Sequence, residues 1–202
     1  RGLGDVYKRQ GILKIKQTLY PSGAENPELP RFGMKVSINE TFDNLEWFGR
    51  GPHESYWDRK TSAKIDRYKG KVIDQTYKYV RPQETGNKTD IRWLALYNGS
   101  IGLMVKGLPV FDGSVHHYDY ALLDYYKGSQ RHGKTDIIKG DQIDLIVDHK
   151  QMGVGGDNSW GAKPHPKYTL PMDTTVYNLE YAIIPFNKKN ELDALSRLNM
   201  DN

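Results

Sequence analysis

Short runs in which apolar and polar residues alternate make up much of the chain, and turn residues separate them. The run over residues 12–19 is the first, and a second places Met34, Val36 and Ile38 on one face with Lys35 and Ser37 opposite. Similar runs occupy residues 45–48, 92–97, 101–105, 142–148 and 177–184. A period of two residues is typical of β-strands with one buried face. The pattern therefore predicts an all-β fold, a large antiparallel β-sandwich.

The connections and ends of the predicted sandwich follow from turn and breaker residues. Asn98-Gly99 between two apolar runs predicts a tight hairpin whose two central residues both have positive φ. Helix is scarce: residues 119–126 predict one short helix and residues 191–198 a weak one. Residues 1–10 show no coherent period, so we expect a non-native or disordered lead. The predicted organisation is a lead over 1–10, a β-domain over 11–187 and a C-terminal tail over 188–202.

Composition supports a folded domain and argues against several classes of partner. The 202 residues are 37% hydrophobic and 27% charged, which argues against disorder. The net charge of +4 is spread without a basic block, so we expect no nucleic-acid partner. No apolar run approaches the ~20 residues that cross a bilayer, so we expect no membrane partner. The absence of cysteine excludes disulfides and leaves the compartment open, cytoplasmic or periplasmic.

The loop over residues 151–161 (QMGVGGDNSWG) carries the most informative local pattern. Three glycines in four positions free the backbone for turns, and Asp157, Asn158 and Ser159 can bond to their own backbone. Trp160 then follows at the end of this loop. An indole offers an apolar face with a polar handle, which suits a sugar ring. Local pattern alone favours the alternative that Trp160 plugs the end of the core, because buried tryptophans are common.

A second polar and aromatic loop spans residues 47–59. Glu54 and Asp58 can pair with Arg50 and Arg59, and arginine binds carboxylates in a bidentate fork. A glycosidase pair needs two carboxylates at a fixed separation and one of them protonated. Neighbouring arginines keep carboxylates ionised, so the pattern favours a loop held rigid by ion pairs.

A third loop spans residues 81–93, with a turn at Gly86-Asn87. Strand alternation would place Asp90 and Arg92 on the face opposite Ile91 and Trp93. These residues either line a cleft or satisfy backbone groups where sheets cross.

His116-His117 suggests a metal site at first sight. Adjacent residues on a strand point to opposite faces, and no further ligand follows at metal-binding spacing. The sequence therefore argues against a metal there.

Four ordered motifs resemble the C-terminal β-sandwich domain, or small chain, of the family 2 β-galactosidases. They are residues 29–33 (LPRFG), 47–59 (WFGRGPHESYWDR), 81–93 (RPQETGNKTDIRW) and 152–161 (MGVGGDNSWG). The resemblance covers about residues 11–186 in the family's order and rough spacing. His53, Trp57 and Thr85 depart from the family's usual Gln, Pro and Asn.

The resemblance implies a supersandwich similar to galactose mutarotases, which completes the active site of a preceding (β/α)8 barrel in the same chain. It implies that Trp160 binds the galactoside substrate by stacking, in hydrolysis of terminal β-D-galactosides such as lactose. We expect support for the site loop from Asp157, Asn158, Ser159, Glu84, Asn87 and Arg92.

The same resemblance implies what this chain lacks. The two glutamates of the retaining reaction, and the ligands of Mg²⁺ and possibly of Na⁺, lie on the barrel in the family, so we expect no catalytic residue, cofactor or metal here. The fragment alone should hydrolyse nothing, and the intact enzyme is expected to be a homo-oligomer.

Three alternatives stay open at this point. The first alternative is a free-standing carbohydrate-binding module, the second is a purely structural domain of the enzyme, and the third is a mutarotase-like catalyst. The last rests on fold similarity alone, which is poor evidence for chemistry.

Overall fold

The computed structural model describes residues 6–8, 11–21, 28–79, 83–119, 139–158 and 160–200. Within them the chain is built from antiparallel strands with very little helix, so the predicted all-β class is confirmed. The strands are β1 (Val6–Lys8), β2 (Ile12–Leu19), β3 (Arg31–Asn39), β4 (Asn44–Gly51), β5 (Lys64–Lys71), β6 (Lys88–Asn98), β7 (Ile101–His116), β8 (Gln142–Gln151) and β9 (Tyr177–Phe186). Short 3-10 turns cover Val72–Gln75, Pro166–Tyr168 and Lys189–Glu191, and one helix, α1, covers Leu192–Ser196.

The long strand β7 connects the two layers of the sandwich. One layer has the order β1-β2-β9-β7-β6-β4-β5, and β8 with β3 continues from the other end of β7. Residues 102–107 of β7 pair with β9, whereas residues 112–116 pair with β8. The same strand therefore enters both layers, which places β3 and β8 opposite β9 and its neighbours.

The main core lies between these layers and is formed by the apolar faces that the alternation predicts. Tyr181 of β9 contacts Met34 of β3 across it, with 2.9 Å between the hydroxyl oxygen and the sulfur. Its buried members are Ile15, Leu45, Trp47, Val72, Ile91, Leu94, Leu96, Val105, Phe111, Val115, Ile143, Leu145, Val147, Leu179 and Tyr181.

A second apolar cluster lies on the outer face of the larger layer, where the C-terminal segment packs. Leu192 of α1 is buried there beside Trp93, Tyr97 and Ile184. The segment is also fastened by Lys106, whose amine donates to the Ser196 and Leu198 carbonyls at 2.7 and 2.6 Å. The predicted C-terminal helix is present but shorter, and it covers apolar surface that the sheet would otherwise expose. The helix predicted over residues 119–126 lies outside the described residues, apart from Asp119.

Three local features differ from the sequence interpretation. Strand β5 (KIDRYKGK) was not predicted, because it is an exposed edge strand in which charged residues replace the apolar alternation. Strand β1 lies within the lead for which no strand was predicted, and three residues are too few to show a period. The hairpin is centred on Gly99-Ser100, since Asn98 still pairs with Ile101 and only Gly99 (φ +59°) has positive φ. This arrangement has the glycine placement of a type II′ turn, not the predicted type I′.

Candidate functional site

Three loops meet at one end of the sandwich: two are carried by the paired strands β4 and β6, and the third follows β8, which pairs with the far end of β7. They follow β4, precede β6 and follow β8, and they contain three of the four sequence motifs. The Ser55 N–H donates to the Asn87 carbonyl at 2.8 Å, which joins the first two loops. The Gly155 N–H donates to Asp58 Oδ2 at 2.7 Å, which joins the first loop to the third.

Glu54 ties the first loop to residues 85–86. Its carboxylate accepts hydrogen bonds from the Gly86 N–H at 2.8 Å, from the Thr85 hydroxyl at 3.1 Å and from Arg59 Nη2 at 2.7 Å. The Tyr79 hydroxyl donates to the same carboxylate. Burial opposes ionisation of this group, but these donors together hold the pKa of Glu54 below its ordinary value. An ionised, fully bonded carboxylate suits a structural role better than that of a general acid.

The two arginines of this loop form ion pairs with different carboxylates. Arg59 pairs with Glu54, as the rigid-loop interpretation expects, whereas Arg50 reaches Asp90 at 2.5 Å on the neighbouring strand. Lys60 adds a second cation at 2.9 Å from the same Asp90 carboxylate. Ion pairs therefore run between the loops as well as within one of them.

Asn87 supports the loops from inside the molecule. It is fully buried, and its side-chain amide donates to the Ser55 carbonyl at 2.8 Å. The Ser55 hydroxyl lies 2.9 Å from the Thr89 hydroxyl and accepts the Thr89 N–H at 3.0 Å. Sequence reasoning missed Ser55 and Thr89, because no local pattern distinguishes a buried hydroxyl from an exposed one.

Arg31 connects Glu84 to the end of β8, where the third loop begins. Arg31 lies 3.8 Å from Glu84, 2.7 Å from Asp148 and 3.0 Å from Gln151, the last residue of β8. This arginine stands in the first motif (LPRFG), but Asp148 and Gln151 are more than a hundred residues away along the chain. Only the folded register of β3 against β8 brings them together.

Arg92 lies between Asp90 and Phe48. Its guanidinium donates to the Asp90 carbonyl at 2.6 Å and lies 5.8 Å from the centre of the Phe48 ring. The prediction that Ile91 and Trp93 share a face is wrong, because Ile91 belongs to the core between the layers and Trp93 to the outer cluster. The pairing register with β7 shifts on both sides of Ile91, and Asp90 has φ +56°. These irregularities reverse the alternation at this point.

The glycine-rich loop is anchored at its base and exposed at its tip. The Met152 and Gly153 N–H groups donate to the Pro30 and Tyr168 carbonyls at 2.9 and 2.8 Å. At the tip, the Asn158 side chain accepts the Trp160 N–H at 2.8 Å, as the sequence predicted for residues that bond to the local backbone.

The Trp160 side chain is the most exposed large apolar group among the described residues, at 91%. The alternative that this ring plugs the core is therefore wrong. Asp157 lies 3.1 Å from His165 at the edge of the tip, and Ser159 lies outside the described residues. Such an indole presents its whole face to whatever approaches this end of the sandwich.

The interior behind the loops holds buried ionisable groups. Burial lowers the pKa of Lys88 to about 8 and that of His116 to about 3, so this histidine is neutral. Burial also raises the pKa of Asp112 to about 7 and that of Asp148 to about 6.

The two adjacent histidines contact different partners. His116 Nδ1 lies 3.1 Å from the Thr76 hydroxyl, and His117 Nε2 lies 2.9 Å from Asp43. In the described part of the chain, no group of three His, Cys, Asp or Glu side chains is arranged to hold a metal ion. Across the same residues, no helix is both long and apolar enough to span a membrane.

Comparison with known proteins gives a consistent family assignment. The family model described as beta galactosidase small chain matches residues 5–183. A β-galactosidase of Priestia megaterium is 47% identical over 161 residues, which cover 79% of this chain and 15% of that protein. β-Galactosidases of Vibrio cholerae and Halalkalibacterium halodurans are 36% and 33% identical, over 76% and 81% of this chain and 14% and 16% of theirs. The chain thus spans only about 15% of the length of these relatives.

Proposed function

The chain belongs to the β-galactosidase small-chain family, and we propose that it serves as the C-terminal domain of a retaining β-galactosidase. In this role Trp160 completes the sugar-binding site of a preceding (β/α)8 barrel by stacking on the substrate. The observation that carries the proposal is the indole that is 91% exposed on a loop whose base is hydrogen-bonded to the sandwich. A soluble domain gains nothing in its own core from such a ring, whereas a partner surface or a sugar can bury it.

The chemistry assigned to this domain is binding and not bond cleavage. The indole face accepts the apolar C–H face of a galactosyl ring, while the sugar hydroxyls remain for polar groups elsewhere. Glu54 is ionised and saturated with donors, so it supplies no proton. The glutamate acid/base and nucleophile, and any Mg²⁺ or Na⁺, are assigned to the barrel through the family resemblance. Among the described residues of this domain, no set of side chains fits a metal ion.

Steady-state kinetics of the intact enzyme test the stacking role. Trp160→Ala is expected to raise KM for a β-galactoside by about tenfold, because stacking and burial of an aromatic ring contribute roughly 1–2 kcal/mol. Val154→Ala, which shortens another exposed apolar side chain of the same loop, is the matched control and should leave KM unchanged. An unchanged KM in Trp160→Ala, together with a lower melting temperature, would favour the purely structural alternative.

A second experiment tests the proposal that this domain binds the sugar and the barrel cleaves the bond. The 202-residue chain alone is expected to release no chromophore from a chromogenic β-galactoside, and hydrolysis by it would contradict the proposal. The exposed indole also suits a free-standing carbohydrate-binding module. That alternative requires galactoside binding by this chain alone, abolished by Trp160→Ala, in titration calorimetry at millimolar sugar.

A further inference from the structure

One carboxylate packs directly against the base of the loop that carries Trp160. Asp58 Oδ2 accepts the Gly155 N–H at 2.7 Å. A Cβ atom added to Gly153 would lie 2.7 Å from Asp58 Cγ, and one added to Gly155 would lie 3.1 Å from Oδ2. The Asp58 side chain therefore occupies the space that a Cβ atom would need at Gly153 and at Gly155.

Asp58 is itself held in a rigid turn. Tyr56 and Arg59 exchange both backbone hydrogen bonds, at 3.1 and 2.8 Å, so that Trp57 and Asp58 form a two-residue tip. The Trp57 ring meets the edge of Tyr168 at 5.8 Å between centroids, and Lys150 lies 4.2 Å from the Trp57 ring centre. Trp57 thus contacts the segments that flank the glycine-rich loop, and Asp58 contacts the loop itself.

The loop beyond Gly155 is closed at a second point. A Cβ added to Gly156 would lie 2.2 Å from the Ala162 carbonyl oxygen, so the two sides of the loop touch there. Nearer the tip, the Asn158 side chain accepts the Trp160 N–H. The bond from Gly155 to Asp58 and the close approach of Gly156 to Ala162 thus both restrain the base of the loop that carries the indole.

We propose that Asp58 is a positioning residue for Trp160, which acts through the Gly155 N–H and has no contact of its own with the sugar. The inference rests on the proposed stacking role. Part of the Asp58 side chain supports this assignment: among the described residues, its buried Oδ1 atom has no hydrogen-bond partner. Burying an oxygen without a hydrogen bond costs free energy, and an aliphatic side chain would avoid that cost. The presence of an aspartate at this position is therefore better explained by the bond that its other oxygen accepts from the Gly155 N–H.

The test uses the intact enzyme in four forms: wild type, Asp58→Ala, Trp160→Ala and the double variant. Asp58→Ala is expected to raise KM for a β-galactoside about threefold to tenfold with little change in kcat. The double variant should have the KM of Trp160→Ala, because removal of the indole leaves nothing for Asp58 to position. Asp58→Asn keeps an oxygen that can accept the Gly155 N–H and should restore KM. Asp66→Ala, which removes an exposed carboxylate on β5, is the control.

Hydrogen exchange measured by mass spectrometry gives a readout independent of stacking. Amides in a peptide covering residues 153–161 should exchange faster in Asp58→Ala than in wild type, while those of β8 stay unchanged. If Asp58→Ala does not accumulate as folded enzyme, Gly153→Ala perturbs the same contact from the loop side and should produce the same two effects.

The outcomes separate the two proposals. If Trp160→Ala leaves KM unchanged, the proposed stacking fails, and the exchange data alone decide whether Asp58 holds the loop. If Trp160→Ala raises KM but Asp58→Ala changes neither KM nor exchange, the positioning role is overturned. Equal increases in KM from Asp58→Ala with and without Trp160 would also overturn it, since Asp58 would then act by another route.

Discussion

The buried carboxyl of Asp112 makes a specific prediction for the pH dependence of stability. Asp112 on β7 is the direct cross-strand partner of Asp148 on β8, and its Oδ1 accepts the Asp90 N–H at 3.2 Å. Its pKa is raised to about 7, chiefly by burial; the negative charges of Asp90 and Asp148 also raise it, while the bond from Asp90 and the cation of Lys60 oppose the rise. Its ordinary value is 3.8, so the native state holds a proton that the unfolded chain releases.

The sign and size of the effect follow from proton linkage. Between pH 3.8 and about 7 the native state binds more protons than the unfolded state, so the free energy of unfolding falls as the pH rises. Each pH unit of difference is worth about 1.4 kcal/mol, which gives a total cost of about 4 kcal/mol at pH 8. Asp112→Asn keeps the shape and the acceptor oxygen but has no charge to bury. We expect it to be more stable than wild type at pH 8, by up to that amount, and equal to it near pH 4.

Urea unfolding of wild type and Asp112→Asn between pH 4 and 8 measures this difference. The comparison at each pH cancels groups common to both proteins, such as the neutral His116, whose lowered pKa gives the opposite slope at acid pH. Asp148→Asn is a poor control, because that carboxyl also has a raised pKa and pairs with Arg31. Exposed Asp66→Asn is suitable. Parallel stability curves for wild type and Asp112→Asn, or a variant less stable at pH 8, would refute the reasoning.

Two further predictions concern the polar interior. Lys88→Met should raise stability at pH 7 by up to about 3 kcal/mol, because burial lowers the lysine pKa from 10.5 to about 8 and the native state must strip water from a charged amine below pH 8. As the pH rises from 8 to 10.5, wild type should become as stable as Lys88→Met, because the native state has already lost the proton that the unfolded chain still holds. Thermal unfolding of the two proteins at pH 7 and pH 10 measures the difference in stability, and a difference that is the same at both pH values would contradict the prediction. Ser55→Ala should lower the free energy of unfolding by about 1–3 kcal/mol, since it leaves the buried Thr89 N–H without its acceptor. Exposed Ser62→Ala, measured by urea unfolding, should change it by less than about 0.5 kcal/mol.

The strands were predictable wherever one face supplies apolar side chains to the core and the other face is polar. Ile12–Leu19, and the runs that became β3, β8 and β9, have this period of two in sequence, although the polar face of β8 is also largely buried. Strand β5 escaped detection because an edge strand is specified by its neighbour's backbone and not by its own apolar residues. The opposite faces of Ile91 and Trp93 depend on a register shift, which is a property of two strands together.

The candidate site could be predicted in its parts but not in its assembly. The glycine-rich loop with its tryptophan is a local pattern, and the local bond from the Trp160 N–H to Asn158 agrees with it. The contacts that join the loops, from Asp58 to Gly155 and from Arg31 to Glu84, connect residues far apart in sequence. No spacing rule in a single sequence reports such pairs, because strand pairing and not proximity along the chain creates them.

Binding of a hydrolysis-resistant β-thiogalactoside to the intact enzyme is the most direct measurement of the stacking role assigned to Trp160. Titration calorimetry reports the dissociation constant without any contribution from the chemical steps. We predict that Trp160→Ala weakens binding about tenfold, while Val154→Ala binds as wild type does. An unchanged dissociation constant in a folded Trp160→Ala enzyme would contradict the account.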